Sequence, residues 1–314
     1  MPLAHHGLPS EATLHGVATQ RPRKRGNAPG VAAPCIAITI SFRIMKIPLE
    51  DLFEDIIGKA QRGLKLSDEE VAARGGLASS ALNLLRTGSG TQAEVEALAR
   101  ALELKPEPLW ESFQKSWEPE AVNVDGLEQV NTDMLGFTVN TYLVWDPASR
   151  SCALFDAGIE PATLFAIRDR RNLKVESIFI THTHEDHIAA LKEIAAKISA
   201  RVFGPSRESV SGATSVQEGD RFEIGNLKVE ARLTNGHSPG GISYIIEGLS
   251  VPVAVVGDSL FAGSMGGAPS AYSLALTNNR ERLMTLPAGT VVCPGHGPMT
   301  TVGEEHQHNP FVGS

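Results

Sequence analysis

Cysteine is scarce in this sequence, and what little there is does not pair. The 314 residues contain 3 cysteines, Cys35, Cys152 and Cys293. Their number is odd and no C-x-x-C spacing occurs, which argues against a disulfide scaffold and for a reducing, cytoplasmic setting. Long apolar runs are missing as well, and no stretch is long enough to span a membrane. Positive charge is not in excess: the formal net charge is −8, so the chain as a whole has no electrostatic attraction for nucleic acid or anionic lipid. What remains is an ordinary globular composition, in a chain long enough to bury a sizeable core and to carry more than one domain.

The beginning of the chain differs from the rest. The first 44 residues are rich in Pro, Gly and Ala, hold the basic cluster "RPRKR" (21–25) and contain one acid, Glu11. Residues 1–45 are therefore expected to form a disordered leader. The run "VAAPCIAITISF" (31–42) behind the basic cluster suggests a cleaved targeting peptide as the alternative, but Pro34 interrupts it and Arg43 closes it. His5, His6 and His15 lie in this leader and receive no role.

Residues 46–117 follow a helical pattern throughout. "PLEDLFEDIIGKAQRG" spaces its apolar residues by three and four and stops at Gly63. In "LSDEEVAARGGLASSALNLLRTG", Ser67 with Glu70 three residues on reads as a capping box, and Gly75-Gly76 as a turn before a second short helix over 78–86. "TQAEVEALARALEL" and "KPEPLWESFQ" supply two more. The stretch resembles the helix-turn-helix domain of phage-repressor-type regulators, which implies a compact five-helix bundle. DNA binding does not follow from that. The would-be recognition helix reads "ASSALNLLR", with only Asn83 and Arg86 to meet base edges. Residues 46–117 hold 12 acids against 9 bases, the wrong sign for a phosphate surface. The segment is expected to pack on its own enzyme, to dimerise or to act as a lid.

From 118 to 314 short β-rich runs alternate with helical ones, the pattern of a layered α/β architecture. Strands are expected over 140–146, 151–158, 175–182, 221–233, 241–248, 251–258 and 290–296, and helices over 160–171, 186–199 and 275–285. The polar residues that stand out sit at strand ends. "IFITHTHEDHIAAL" (178–191) carries His182 and His184 at i, i+2, a spacing that puts both on one side of an extended chain. Asp186 and His187 follow at the start of the next helix. "TNGHSPGG" adds His237, "VVGDSLF" adds Asp258 and "VVCPGHGP" adds His296. Five of the 10 histidines thus fall at strand ends, and imidazoles with carboxylates but no thiolate suit Zn(II), Fe(II) or Mn(II). Two such ions can share a hydroxide and polarise a carbonyl together.

The succession H-x-H-x-D-H, G-H-S-P-G, G-D-S-L-F and P-G-H-G-P resembles the metallo-β-lactamase superfamily over nearly all of residues 122–314. "GDSLFAGSMG", "LPAGTVVCPGHGP" and "TTVGEEHQHNPF" are similar to its glyoxalase II (hydroxyacylglutathione hydrolase) branch. The resemblance implies an αβ/βα sandwich of two mixed sheets behind the small all-α domain. It also implies two divalent metal ions, zinc first, with iron or manganese as alternatives. One ion would take His182, His184 and His237, the other Asp186, His187 and His296, and Asp258 would bridge them. Asp186 and Asp258 are thereby the catalytic carboxylates, and Asp156 in "LFDAG" corresponds to a carboxylate that supports the ligand loops. The implied reaction is hydrolysis of a small acyl thioester or ester by a hydroxide held between the metals.

Three departures narrow this expectation. Asp258 stands where many β-lactamases use cysteine, which disfavours antibiotic hydrolysis. The helical domain with which glyoxalase II grips glutathione has no counterpart after His296. Related short enzymes read "GSIGRTD" where this chain has "GSMGGAP" (263–269), so Gly267 replaces an arginine that would anchor an anion. Two other readings stay open. One is a mononuclear iron persulfide dioxygenase using His182 or its neighbour, His237 and Asp258. The other is a metallo-domain sensor whose helices bind DNA. Oligomer formation through the helices is also expected. Cys293 reads as a buried structural thiol, and His306 and His308 as exposed tail.

Overall fold

The computed structural model describes residues 46–134 and 137–313. The expected leader, with Cys35 and its histidines, lies outside the described residues. Five helices come first: α1 (Phe53–Leu64), α2 (Asp68–Gly75), α3 (Ser79–Arg86), α4 (Gln92–Ala101) and α5 (Pro106–Gln114). Local chemistry sets their ends. The Ser67 hydroxyl accepts from the Glu70 N–H at 3.2 Å while the Glu70 carboxylate accepts from the Ser67 N–H at 2.8 Å, and Thr91 and Glu94 repeat the exchange on α4. Gly76 ends α2 in the left-handed region at φ 62. The inward residues Ile56, Val71, Leu85, Val95, Leu98 and Leu109 are buried. The one cation of α3, Arg86, is committed within the fold. Its guanidinium donates to both oxygens of Asp68 at 2.8 and 2.7 Å and to Gln61 at 2.7 Å.

A sandwich of two six-stranded mixed sheets follows. The first sheet runs in sequence order through β1 (Leu127–Met134), β2 (Phe137–Trp145), β3 (Ser151–Phe155), β4 (Lys174–Phe179), β5 (Arg201–Pro205) and β6 (Thr214–Val216). The second runs β12 (Thr300–Thr301), β11 (Val291–Pro294), β10 (Val253–Gly257), β9 (Ile242–Glu247), β8 (Leu227–Leu233) and β7 (Arg221–Ile224). In the first, β3, β4, β5 and β6 are parallel; in the second, β10 and β11 are. Between the sheets Phe155, Phe179 and Phe203 meet Val229, Tyr244, Ile246 and Val255 in one apolar core. The Phe179 ring lies 5.2 Å from Phe155, 4.9 Å from Phe203 and 5.1 Å from Tyr244, burying large apolar areas in offset contact.

Helices close both outer faces, which is why β10 is buried along its whole length. Over the first sheet lie α6 (Ala162–Arg171), α7 (Glu185–Ile188) and α8 (Leu191–Lys197), with Leu164, Ile167 and Ile194 packed on Leu154 and Ile178. Over the second lie α9 (Tyr272–Asn278) and α10 (Val302–His308). Here Ala254, Val256 and Val292 share one cluster with Ala275, Val302 and also with Ile56, Leu98 and Leu109. The core of α1–α5 is therefore continuous with the outer layer of the second sheet.

Several elements differ from expectation for visible reasons. The single strand expected over 221–233 is the hairpin of β7 and β8, turning at Gly225-Asn226 with Gly225 at φ 57. The helix expected over 186–199 breaks between α7 and α8. There the Ala190 N–H donates to Gly158 O at 2.9 Å, and the His187 carbonyl accepts from Ala157 N–H at 2.8 Å. The helix expected over 275–285 starts at Tyr272 and runs into a π-helical turn at Asn279–Leu283. At this junction Asn278 donates to Asn235 O at 2.6 Å and Asn279 to Ser259 O at 2.7 Å, bracing two site loops. The expected exposed tail is α10 instead. His306 Nε2 meets Met284 O at 2.9 Å, and His308 meets Glu111 at 2.7 Å while stacking on Trp117.

Candidate metal centre

The loops after β3, β4, β8, β10 and β11 carry Asp156, the 182–187 cluster, His237, Asp258 and His296, and they meet at one edge of the sandwich. Parallel pairing of β10 with β11 continues past the strands, since the Gly295 N–H donates to Gly257 O at 2.9 Å. That sets Asp258 beside His296. The approach is close: a Cβ on Gly295 would fall 2.1 Å from Asp258 Oδ1 and one on Gly266 1.9 Å from the Asp258 carbonyl. Only glycine lets both loops pass.

All seven expected ligand residues come together, in two groups. His182, His184, His237 and Asp258 form one and Asp186, His187 and His296 the other, with donor atoms in each group within 4.8 Å of one another. His184 Nδ1 lies 3.0 Å from both His182 Nε2 and His237 Nε2. Asp258 Oδ2 lies 3.4 Å from His237 Nε2 and 3.9 Å from His182 Nε2. It also lies 3.4 Å from His296 Nε2, while Asp258 Oδ1 lies 3.4 Å from His187 Nε2. Asp186 Oδ2 completes the second group, 3.3 Å from His296 Nε2 and 3.8 Å from His187 Nε2. Asp258 thus faces both groups.

These residues fit a pair of divalent ions. Donors held at ~2.0–2.1 Å around a tetrahedral ion sit roughly 3.3 Å apart, the spacing found here. His187 Nε2 and Asp258 Oδ1 are buried and have no hydrogen-bond partner, a costly arrangement for a protein group that nothing else is meant to satisfy. The far side of four of the five rings is held; His184 turns its Nδ1 to the site. His187 Nδ1 donates to Asp156 at 2.8 Å, His182 Nδ1 to the Thr181 hydroxyl at 3.0 Å and His237 Nδ1 to Gly267 O at 2.9 Å. His296 Nδ1 does the same to Thr138 O at 2.5 Å. Each outward N–H turns Nε2 inward, where it serves as a lone-pair donor once any proton it carries is displaced.

Electrostatics among the site residues favour positive charge at its centre. Burial pushes His182 and His237 below the ordinary imidazole range. Burial also opposes charge on His187 and His296, but the carboxylates beside them win. Asp156 and Asp258 raise His187 to about 10, and Asp186 and Asp258 raise His296 to about 11. Against the burial that would raise them, these histidines hold Asp186 at about 2 and Asp258 well below the carboxylate range. Protons thus supply positive charge that divalent ions can replace.

Three further supports carry no sequence signal of their own. Asp156, buried and at φ 56, accepts from the Thr181 N–H and hydroxyl, each at 2.8 Å, as well as from His187. It ties the two halves of the histidine cluster together. Glu208 accepts from Thr183 N–H at 2.8 Å and Gly240 N–H at 2.5 Å, joining the His184 loop to the His237 loop. Asn140 donates to Pro294 O at 2.9 Å and Gly297 O at 2.8 Å, fixing the His296 loop. Of these only Asp156 was expected, from the resemblance; Glu208 and Asn140 sit in stretches without a pattern.

The groups open into a cavity of about 370 Å³. Asp186, His237, Asp258 and His296 form its polar floor and Val139, Ile159 and Phe261 its apolar walls. Nothing lies within 4 Å of a Cβ built on Gly267, so the wall is open there. Two lining residues, Glu50 and Lys59, come from the segment before α1 and from α1 itself.

An αβ/βα sandwich with five imidazoles and two carboxylates converging at its edge defines a class of metal-binding enzyme folds. The chain belongs to the metallo-beta-lactamase superfamily, whose family model matches residues 134–296. It is 32% identical over 185 residues to the "Probable metallo-hydrolase YqgX" of Bacillus subtilis, covering 51% of this chain and 87% of that one. It is 26% identical over 203 residues to the "Hydroxyacylglutathione hydrolase GloC" of Haemophilus influenzae, covering 57% of this chain and 94% of that one. Among solved structures, ETHE1 from Myxococcus xanthus superposes with a TM-score of 0.52 at 28% identity, covering 58% of this chain and 83% of that one. Helices α1–α5 lie outside the family match.

Proposed function

We propose that the chain is a metal-dependent hydrolase that cleaves an acyl thioester or related ester. The observation that carries this reading is the position of Asp258, whose two oxygens face two complete ligand groups on the floor of one cavity. His182, His184, His237 and Asp258 would hold one ion, and Asp186, His187 and His296 the other, with Asp258 shared. Such a pair, when bound, supplies Lewis acidity and makes water nucleophilic near neutral pH. The protein's own part is orientation and proton handling. Asp156, Thr181, Thr138 and Gly267 fix the imidazoles, so little reorganisation remains for the reaction. Asp186 offers one oxygen, Oδ2, to its group, and its carboxylate would take the proton that the attacking water gives up. A thiolate leaves without needing that proton, whereas an alkoxide takes it back. Val139, Ile159 and Phe261 exclude water around the acyl chain. The relative named for hydroxyacylglutathione hydrolysis supports thioester chemistry, while open Gly267 speaks against a fixed anion anchor.

The test is turnover of a panel of thioesters, esters and lactones by the metal-loaded, full-length protein, with a chelator control. Chelator-sensitive hydrolysis is expected; none across the panel would sink the proposal. A one-iron dioxygenase would leave Asp186, His187 and His296 without a task. A DNA-binding regulator would need a free cation on α3, where Arg86 is tied to Asp68.

A further inference from the structure

Three charged residues outside the ligand set line the cavity: Glu185 on α7, and Glu50 and Lys59 from the helical segment. Their circumstances differ. The Lys59 ammonium is paired with the buried Asp51 carboxylate, donates to Met265 O at 2.9 Å and lies 4.9 Å over the Phe261 ring. Asp51 also accepts from the Ser264 hydroxyl at 2.5 Å. The charge of Lys59 is therefore matched within the protein, and the pair clamps the segment before α1 to the loop that carries Gly266 and Gly267. Glu50 is fixed from the other side too. A Cβ on Gly297, next to ligand His296, would come within 3.1 Å of the Glu50 nitrogen.

The Glu50 side chain, held between these two anchors, has no hydrogen bond or ion pair among the described residues, and it is half-buried on the pocket wall. A half-buried carboxylate with no hydrogen bond of its own is completed by a cation or a strong donor, not by another anion. Glu185 adds a second acid to the lining, and its one base outside the ligand set, Lys59, is matched by Asp51, so away from the metal-ligand floor the wall offers an anionic group no free cation.

We propose that Glu50 is a specificity-determining residue, delivered to the metal-site pocket by the helical segment, which selects acyl esters or thioesters bearing a quaternary or protonated amine. The proposal rests on the hydrolase reading for its substrate class, but Glu50 can also be tested apart from it. Three probes of similar size differ chiefly in leaving-group charge, and each rate is divided by that probe's spontaneous hydrolysis: acetylthiocholine, its neutral 3,3-dimethylbutyl thioester isostere, and S-acetyl-2-mercaptoethanesulfonate. With metal-loaded, full-length protein, kcat/KM for the cationic probe should exceed that of the neutral one by about tenfold, with the anionic probe slowest. Glu50→Gln should erase most of this ratio through KM, and Glu50→Asp should restore part of it. A ratio unchanged in Glu50→Gln, or a wild-type preference for the sulfonate, overturns the proposal while leaving the hydrolase reading intact. If no probe is turned over, the hydrolase reading is decided by the wider panel above, and choline binding measured by calorimetry reads Glu50 directly. Binding weakened about tenfold by Glu50→Gln upholds its role; equal or absent binding overturns it.

Discussion

The floor and the outer wall of the pocket are built in different ways. The floor comes from loops at strand ends, where His182, His184, His237, Asp258 and His296 are held by backbone pairing and by Asp156 and Glu208. The wall with Glu50 and Lys59 comes from a helical segment outside the family match, held by a buried Asp51–Lys59 pair and by apolar packing. On the proposed reading, chemistry that requires fixed donors is confined to loops at strand ends, whereas selection among substrates falls to a separate piece of chain. If so, damage to the floor should abolish metal binding and turnover, and damage to the wall should change which substrates are accepted.

The largest expected effect is on the floor. Asp258→Ala removes the carboxylate facing both groups, and bound metal should drop below one ion per chain with turnover lower by roughly 10³-fold or more. Metal analysis and initial rates check this. Asp156→Asn keeps every ligand but loosens His187 and Thr181; metal affinity in a chelator competition should fall by about 10–100-fold. If Asp156→Asn bound metal as tightly as wild type, the carboxylate would be a turn residue only.

On the wall, Asp51→Asn leaves the Lys59 ammonium largely buried without its partner. Denaturant unfolding should show a loss of about 2–3 kcal/mol, with KM rising more than metal affinity falls. Spread over a wide pH range instead is an effect from Glu305, which is fully buried under the Gly263 loop and raised by that burial to about 8. The folded protein then holds a proton that the unfolded chain releases above its ordinary value of 4.5. Stability should fall as pH rises from about 4.5 to about 8, by no more than about 1.4 kcal/mol per pH unit, and stay level on either side. Glu305→Gln should flatten that slope. The smallest effect belongs to Arg86→Ala, which breaks a partly exposed pair with Asp68 worth about 1 kcal/mol or less. Neither it nor wild type should show salt-sensitive DNA binding in a mobility shift.

What could be read in advance follows the same division. Histidines and acids at H-x-H-x-D-H spacing, with His237, Asp258 and His296 each behind an apolar run, were legible because metal ligation demands those residue types in fixed order. Strands β2, β3, β4, β9, β10 and β11 were legible because both faces of the central strands are buried, leaving long apolar runs. Strand β1 was missed because its polar residues, at a sheet edge, hide the alternation. The turn at Gly225-Asn226 was overlooked inside an unbroken apolar pattern. Glu208, Asn140 and Glu50 could not be picked out, since each acts on a loop far away in the chain and nothing local marks it. His306 and His308 were misplaced for the same reason: their partners, Met284 and Glu111, are distant in sequence.

The central claim is that one pocket holds two ions whose joint presence drives hydrolysis. It is tested most directly by titrating metal-stripped, full-length protein with Zn(II), Fe(II) or Mn(II) while following bound metal, thioester hydrolysis and oxygen uptake together. The account predicts two ions per chain, hydrolysis that rises with occupancy, and no oxygen consumption. A single iron per chain accompanied by oxygen uptake, or hydrolysis indifferent to metal removal, would contradict it.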